Sequence, residues 1–281
     1  MSAGEREGAA LRFLYGTVPG RAALKLLTAR WVSRTAGRFL DSPLSRPLIR
    51  PFIRANDIRM EDYLPMRYES FNAFFCRPIR RELRPMPEDA AVLGAPCDGL
   101  LSAYRITDGL VLPVKQSRYT IAELLGNDPA AARFRDGSCL VFRLCVNHYH
   151  RYCYFDDGTK GPNVFLPGKL HTVRPIALTA VPVFTQNCRE YTILDMVHFG
   201  TAAQIEVGAM LVGRIENYKG AGPFRRGEEK GKFLYGGSTV ILLLEKDAAE
   251  IDGAFFTAAA QGRETPVVMG QPLGRALKMK E

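Results

Sequence analysis

A buried β-strand is predicted most clearly by residues 232–244, which read Lys-Phe-Leu-Tyr-Gly-Gly-Ser-Thr-Val-Ile-Leu-Leu-Leu. The last six residues form a short run rich in Val, Ile and Leu, a length and composition that favour a strand over a helix. Because glycine adopts backbone angles that other residues avoid, a tight turn at the two glycines can aim the Ser238 hydroxyl back at the Gly237 carbonyl. The alternative is an ordinary Gly-Gly turn in which Ser238 only begins the strand.

Short apolar runs of the same kind fill the sequence on both sides of this stretch. They alternate with Gly, Pro and Asp turns and lie at 100–106, 110–114, 139–146, 181–184 and 205–212. A helix is predicted at 119–126, ended by Gly126. About 90 residues of helical pattern precede these runs and are interrupted by prolines at positions 43, 47 and 51. The sequence therefore predicts an α+β protein, with N-terminal helices followed by a β-rich domain.

The composition argues against several classes of protein. With 47% hydrophobic and 24% charged residues, the chain is close to the globular average, which argues against disorder and against a disulfide scaffold. No run approaches 18 consecutive apolar residues, so an ordinary membrane-spanning helix is not predicted. The six cysteines contain no C-x-x-C pair, so we expect reduced thiols and no metal site.

The positive charge is concentrated at the N-terminus. Residues 1–60 hold eleven Lys or Arg and four Asp or Glu, a net charge of +7 out of +9 for the whole chain. Apolar residues at 11, 14, 15 and 18 follow a helical period, as do those at 24, 27 and 31. Basic amphipathic helices of this kind often lie at a membrane surface. A nucleic acid is an alternative anionic partner, and solvated arginines on helices packed against the core are another interpretation.

Histidine and aspartate supply the remaining candidate groups for chemistry. His148 and His150 follow the apolar run 139–146 and precede Arg151, a pattern that suits acid–base chemistry, metal ligation or a structural role. Asp98 lies in an Asp-Gly turn pair. Together with Ser238, these residues supply the carboxylate, imidazole and hydroxyl of a set that activates a nucleophile.

Several short motifs resemble those of the phosphatidylserine decarboxylase family, and they occur in the family's order. Residues 71–77 are similar to its F-N-x-F-F-x-R segment, and residues 95–99 resemble its S-P-A-D-G. The further similar segments are 149–151, 207–215, 230–233 and 237–239. The resemblance covers roughly residues 45–245 and implies a barrel-like sandwich for the β-rich domain.

The resemblance implies that the chain cuts itself between Gly237 and Ser238. The products would be a β chain of residues 1–237 and an α chain of residues 238–281, with Ser238 converted to a pyruvoyl group. This covalent cofactor would form a Schiff base with phosphatidylserine, which loses CO₂ and becomes phosphatidylethanolamine. The predicted domains are accordingly a membrane-association region at 1–60 and a catalytic domain at 61–281.

The resemblance also implies roles for individual residues. Asp98 is the carboxylate and Ser238 the nucleophile of self-processing. Many members have a second histidine three residues after the one that matches His150, and this chain has Cys153 there. An unperturbed thiol has a pKa of about 8.5 and is a poor base. His150 or His171 would therefore have to serve as the processing base, and His171 is the predicted one. His150 is assigned to the substrate carboxylate or to reprotonation.

Two weaker assignments concern the other histidines, and three further expectations concern partners. His148 is ranked third as the processing base, and His198 is expected at the surface. The protein is expected to be peripheral to the cytoplasmic face of the cell membrane, to form a homodimer and to bind no nucleic acid.

Two alternative functions are kept open. One is a Ser/His/Asp hydrolase that keeps its serine, although no G-x-S-x-G motif is present. The other is a non-catalytic protein that binds anionic membranes.

Overall fold

The computed structural model describes residues 13–14, 16–17, 19–20, 23, 30–107, 110–114, 117–169, 171, 183–208, 214–234 and 238–277. It confirms the α+β class, because helices come first and antiparallel strands dominate afterwards. The α-helices in these ranges are α1 (Arg30–Asp41), α2 (Ile49–Ala55), α3 (Phe71–Phe75), α4 (Ile121–Leu124), α5 (Val183–Gln186) and α6 (Gly253–Ala260). Short 3-10 helices span Pro43–Leu48, Met60–Asp62, Arg81–Leu83 and Pro129–Phe134. Most of the predicted amphipathic segments at 11–18 and 24–31 lie outside the described residues.

The strands form one large antiparallel sheet and three small ones. They are β1 (Val92–Gly94), β2 (Gly99–Arg105), β3 (Leu110–Val114), β4 (Ser117–Thr120), β5 (Ser138–Leu144), β6 (Arg151–Cys153), β7 (Gly158–Lys160), β8 (Val164–Leu166), β9 (Arg189–Met196), β10 (Gly200–Val207), β11 (Ile215–Asn217), β12 (Gly222–Phe224), β13 (Glu229–Phe233), β14 (Ser238–Leu244), β15 (Ala249–Ile251), β16 (Thr265–Val267) and β17 (Pro272–Ala276). The large sheet has the order β12-β7-β9-β10-β14-β5-β2-β16, with β8 also on β9. The small sheets are β1-β17-β15, β11-β13-β6 and β3-β4. In the described ranges the large sheet is open, so the domain is a sandwich and not a closed barrel.

The central strand β14 is buried on both faces, which explains why its sequence is apolar without alternation. Val240 and Leu242 belong to a core cluster that also contains residues of β6 and β13 and of the β1-β17-β15 sheet. Ile241 and Leu243 belong to a second cluster, completed by residues of α4 and α5. The large sheet is therefore packed between the small sheets on one face and short helices on the other.

The N-terminal helices pack over the end of this sheet. Helix α3 begins at Ser70, whose side chain accepts a hydrogen bond from the Ala73 amide at 3.1 Å. Such an N-cap bond satisfies one of the free amides at a helix start. Phe74 and Phe75 of α3 are fully buried in a third cluster that also contains Tyr149. The aromatic motif at 71–77 thus joins the helical layer to the chain around His148 and His150.

The structure corrects some of the predicted elements. The strand predicted at 181–184 is wrong, because residues 183–186 form helix α5; periodicity cannot separate a strand from a helix in a four-residue apolar run. The helix predicted at 119–126 is shorter, since α4 begins only after a capping box between Thr120 and Glu123. Gly126 has φ +64° and follows it, as expected for a helix end. The runs 110–114 and 239–244 are strands as predicted.

Candidate active site

Ser238, the first residue of β14, lies at one end of the large sheet. It pairs with Leu144, the last residue of β5, and the register of β2 with β5 places Gly99 opposite Leu144 on the other side. A Cβ on Gly99 would be 3.3 Å from the Arg143 carbonyl oxygen, so a larger residue would be crowded there. Asp98 precedes Gly99 and therefore lies at the same sheet end. With strands about 4.8 Å apart, the β2 and β14 backbones are about 10 Å apart.

The Ser238 hydroxyl is buried and lacks a hydrogen-bond partner in the part of the chain that the structure describes. The residue is 1% exposed, and Oγ makes no hydrogen bond within the described part of the chain. Its side chain lies on the same face as Val240, because alternate residues of a strand share a face. The predicted cleavage residue Gly237 lies outside the described residues. Since an unsatisfied buried hydroxyl is destabilising, Ser238 Oγ is a candidate for chemistry more than for structure.

The Asp98 carboxylate is held by a residue that the sequence analysis missed. Arg84 donates from Nε and Nη2 to the two carboxylate oxygens, each at 2.8 Å, and the Met269 amide donates to Oδ1 at 2.8 Å. Bidentate arginine contacts of this kind fix both the position and the orientation of a carboxylate. No signal in the sequence separated Arg84 from the neighbouring Arg80 and Arg81, because only folding brings it to Asp98.

His148 lies in the turn after β5, close to Asp98. The Cys145 amide donates to His148 Nδ1 at 3.1 Å, so the neutral ring carries its hydrogen on Nε2. Burial lowers the pKa of His148, and the negative charge of Asp98 opposes that shift. The structure therefore associates Asp98 with the histidine that the sequence interpretation ranked third.

His150 is fully buried, and one of its ring nitrogens is available as a hydrogen-bond acceptor. Its Nδ1 lies 2.9 Å from the His148 carbonyl oxygen, which can only accept, so Nδ1 carries the hydrogen and Nε2 holds a lone pair. Nε2 has no partner among the described residues. Burial holds the pKa of His150 well below its usual value, although the bond to His148 acts in the opposite direction. The ring packs on Phe75 at 4.0 Å between centroids, and the His150 carbonyl accepts from Phe233 at the end of β13.

His171 approaches the same sheet end from the other side through Asn187, which the sequence analysis also missed. The Asn187 side chain accepts from the His171 amide at 2.9 Å and donates to the His171 carbonyl at 2.7 Å. It also donates to the Gly208 carbonyl at 2.7 Å. Gly208 follows Val207, which pairs with Thr239, so Gly208 is the sheet neighbour of Ser238. Burial, and then the charge of Lys169, lowers the pKa of His171.

Cys153 and His198 complete the set of residues singled out from the sequence. Burial raises the pKa of the Cys153 thiol to about 12, so the thiol stays protonated and cannot serve as a base. Its amide donates to the Pro96 carbonyl at 2.9 Å, which joins β6 to the loop that carries Asp98. The expectation for His198 needs correction, because its side chain is only 21% exposed and its Nδ1 lies 2.8 Å from a carboxylate oxygen of the buried Asp156.

The four predicted catalytic residues thus surround one end of the large sheet. Ser238 begins its central strand, Asp98 precedes β2, His150 lies beside the end of β13, and His171 is joined to the neighbour of Ser238. A hydroxyl, imidazoles and a carboxylate are the groups from which sites that activate serine are built. Fold and site together describe an α+β protein with a candidate catalytic cluster at one end of its central sheet.

Comparison with known proteins identifies the family. The family model for phosphatidylserine decarboxylase matches residues 71–275. Over 94% of its length, the chain is 39% identical to phosphatidylserine decarboxylase proenzyme 2 of Clostridium acetobutylicum, of which it covers 91%. It is 36% identical to the phosphatidylserine decarboxylase proenzymes of Clostridium botulinum and Clostridium perfringens, covering 92% of each. This chain belongs to the phosphatidylserine decarboxylase family, whose members are carboxy-lyases.

None of the helices in the described ranges combines the length and the apolar character needed to span a bilayer.

Proposed function

We propose that this chain is a self-processing phosphatidylserine decarboxylase that converts phosphatidylserine to phosphatidylethanolamine and CO₂ with a pyruvoyl group made from Ser238. The observation that carries the proposal concerns Ser238, the first residue of a core strand. Its Oγ is buried and has no hydrogen-bond partner in the described ranges. The relatives' designation as proenzymes supports a precursor that must be cut.

Self-processing would proceed by an acyl shift. A base removes the Ser238 proton, and Oγ attacks the Gly237 carbonyl carbon, so that an ester replaces the peptide bond. Elimination then releases residues 1–237 with a C-terminal carboxylate and leaves dehydroalanine at position 238. Water converts this residue to the pyruvoyl group and ammonia. The preceding Gly236-Gly237 pair supplies a backbone that can adopt the required turn.

The residues around Ser238 would divide the proton transfers between them. His171 is proposed as the base of self-processing, with Asp98 as the carboxylate of the same set. His150 would serve the substrate carboxylate or the reprotonation, and its Nε2 lone pair suits the transfer of a proton. Burial keeps both imidazoles neutral near pH 7, the state in which a histidine accepts a proton. Once formed, the pyruvoyl group supplies an electron sink for loss of CO₂.

The decisive experiment is an intact mass of the purified protein under denaturing conditions. Cleavage before Ser238 predicts chains of 237 and 44 residues, the smaller one blocked at its N-terminus by a ketone. Ser238→Ala should remain a single chain and lack activity. Thr239→Val is the matched control, because it removes a neighbouring buried hydroxyl on the opposite face and should leave cleavage intact. A single 31.2 kDa species in active wild-type protein would contradict the proposal and favour a hydrolase that keeps its serine.

The same mass assay separates the histidines. His171→Ala should slow cleavage by at least about 100-fold, the lower range of what a general base contributes. His150→Ala should still cleave but should lose decarboxylation. If His171→Ala cleaved at the wild-type rate, the base would have to be His150 or His148.

We further propose that the protein is peripheral to the cytoplasmic face of the cell membrane. The 3-10 helix Pro43–Leu48 supports this, because Leu44 is 77% and Leu48 43% exposed beside the exposed Arg46 and Arg50. Apolar side chains flanked by cations suit the surface of an anionic bilayer. Leu44→Ser with Arg50→Gln should reduce sedimentation with phosphatidylglycerol vesicles. The control is Val197→Ser with Arg263→Gln, and an equal loss in both variants would contradict the assignment.

A further inference from the structure

Arg77 is a buried cation without an anionic partner in the described part of the chain. The residue is 1% exposed, and its guanidinium lies between the rings of Tyr63, at 4.1 Å, and Phe74, at 4.9 Å. Nη2 donates to the Tyr63 hydroxyl at 3.0 Å, and the other two contacts, to backbone carbonyls, are 3.5 Å long. Nε has no acceptor among the described residues. A buried charge is normally paired, and the described ranges supply no anion that would compensate Arg77.

Two more buried polar atoms without partners belong to the same region. They are His150 Nε2 and the Tyr68 hydroxyl, neither of which forms a hydrogen bond in the described ranges. Burial raises the pKa of Tyr68 and lowers the pKa of His150. The charge of Arg77 acts to lower both pKa values. More than about 90% of buried polar groups in proteins are paired. Three unsatisfied groups, two of them in electrostatic contact with Arg77, therefore indicate a binding site.

A basic cavity shares Tyr68 with this region. The cavity has a volume of about 590 Å³ and is lined by Arg46, Arg50 and Arg67, together with Tyr68. Tyr68 therefore belongs both to the cavity lining and to the electrostatic surroundings of Arg77. Three arginines in the lining would attract an anionic ligand and repel a cationic one.

We propose that Arg77 is the residue that binds the phosphodiester of the phospholipid head group. The substrate's carboxylate is the other available anion, but its charge disappears as CO₂ leaves. A cation held on that carboxylate would stabilise the ground state more than the transition state and slow the reaction. The phosphodiester keeps its charge from substrate to product, so its binding to Arg77 contributes equally to both states. This assignment rests on the proposed decarboxylase function.

The test compares Arg77→Gln with Arg105→Gln, which removes an arginine stacked on Phe256 at the opposite end of β2. Charged hydrogen bonds contribute enough that KM for phosphatidylserine should rise about 10- to 100-fold in Arg77→Gln, with little change in kcat. Inhibition by glycerophosphoethanolamine, a phosphodiester without a carboxylate, should weaken by a similar factor. Inhibition by free serine, which has a carboxylate and no phosphate, should not change. Arg105→Gln should behave as the wild type in all three assays.

Two outcomes would overturn the assignment. Loss of inhibition by serine, with glycerophosphoethanolamine unaffected, would place the carboxylate at Arg77. Unchanged constants for both inhibitors would make Arg77 structural. Should Arg77→Gln fail to self-cleave, glycerophosphoethanolamine binding is measured by calorimetry on the uncut Ser238→Ala chain with and without Arg77→Gln. Binding weaker by about tenfold is expected, and equal binding refutes the proposal. A wild-type protein without decarboxylase activity would instead refute the proposed function.

Discussion

Two buried cations, Lys230 and Arg77, differ in how completely their surroundings satisfy them. Lys230 lies on β13, the strand that precedes the predicted cleavage turn, and contacts both carboxylate oxygens of Glu206 at 2.8 Å. It also donates to Asn217 at 3.0 Å, which bonds in turn to Tyr152 and Glu190. Every polar side-chain atom of the Glu206–Lys230 pair is satisfied. Arg77, in contrast, has no anion among the described residues and an unbonded Nε.

This difference distinguishes buried charges that stabilise the fold from buried charges that are available to bind a ligand. The Glu206–Lys230 pair is fully enclosed and connects β13 to β10, the strand beside β14. It therefore holds β13 against the strand that pairs with β14. A satisfied pair of this kind has no donor left for a substrate. Unsatisfied buried groups weaken the fold and are retained where a ligand completes them.

The largest expected effect on stability comes from breaking the satisfied pair. Lys230→Met leaves the Glu206 carboxylate buried without its cation, which should reduce the free energy of unfolding by about 3–5 kcal/mol. The double variant Glu206→Leu with Lys230→Met should be no less stable than the wild type, because an apolar pair avoids the desolvation of two charges. Urea unfolding in the Ser238→Ala background, where every sample is one uncut chain, measures both.

Arg77→Gln in that background provides the contrast. It should reduce the free energy of unfolding by only about 1–2 kcal/mol, since it removes ring contacts and a single good hydrogen bond and leaves no buried counter-charge. A loss as large as that of Lys230→Met would show that Arg77 has a structural counter-charge, and the comparison between the two cations would fail.

A smaller effect sharpens the same comparison with a matched pair of tyrosines. Tyr152→Phe removes a hydroxyl bonded to Asn217 at 3.2 Å and should reduce the free energy of unfolding by about 1 kcal/mol. Tyr68→Phe removes a hydroxyl without a partner in the described ranges and should leave stability unchanged. Both variants keep their ring contacts, with Phe233 and Phe74 respectively. Equal losses in the two variants would mean that the Tyr68 hydroxyl is already satisfied in solution.

The order of the strands and the contacts of the site residues could not be predicted from the sequence. The run 239–244 identified a buried strand but not its neighbours β10 and β5, which depend on pairing across long stretches of chain. The strand predicted at 181–184 was wrong, because a short apolar segment can be buried equally well as a helix. What makes residues 183–186 helical is their packing against the second core cluster, a tertiary effect.

The candidate site shows the same division. Motif resemblance singled out Asp98, His150 and Ser238, and the structure places all three at one sheet end. Arg84 and Asn187 were missed because each acts on a residue that only folding brings near. The approach of His148 to Asp98 was not predicted, because it depends on the turn after β5, where the Cys145 amide donates to the His148 ring.

The sequence by itself determined the α+β class, the family and the chemical groups available for catalysis. These follow from local features, namely apolar runs of strand length, a glycine pair before a serine, and motifs in a set order. The tertiary structure decided which groups are buried, which are paired and which lack partners. That distinction separates Lys230 from Arg77, two basic residues whose sequence surroundings do not reveal it. Burial and pairing depend on contacts between distant segments, and those contacts exist only after the sheets and helices have packed.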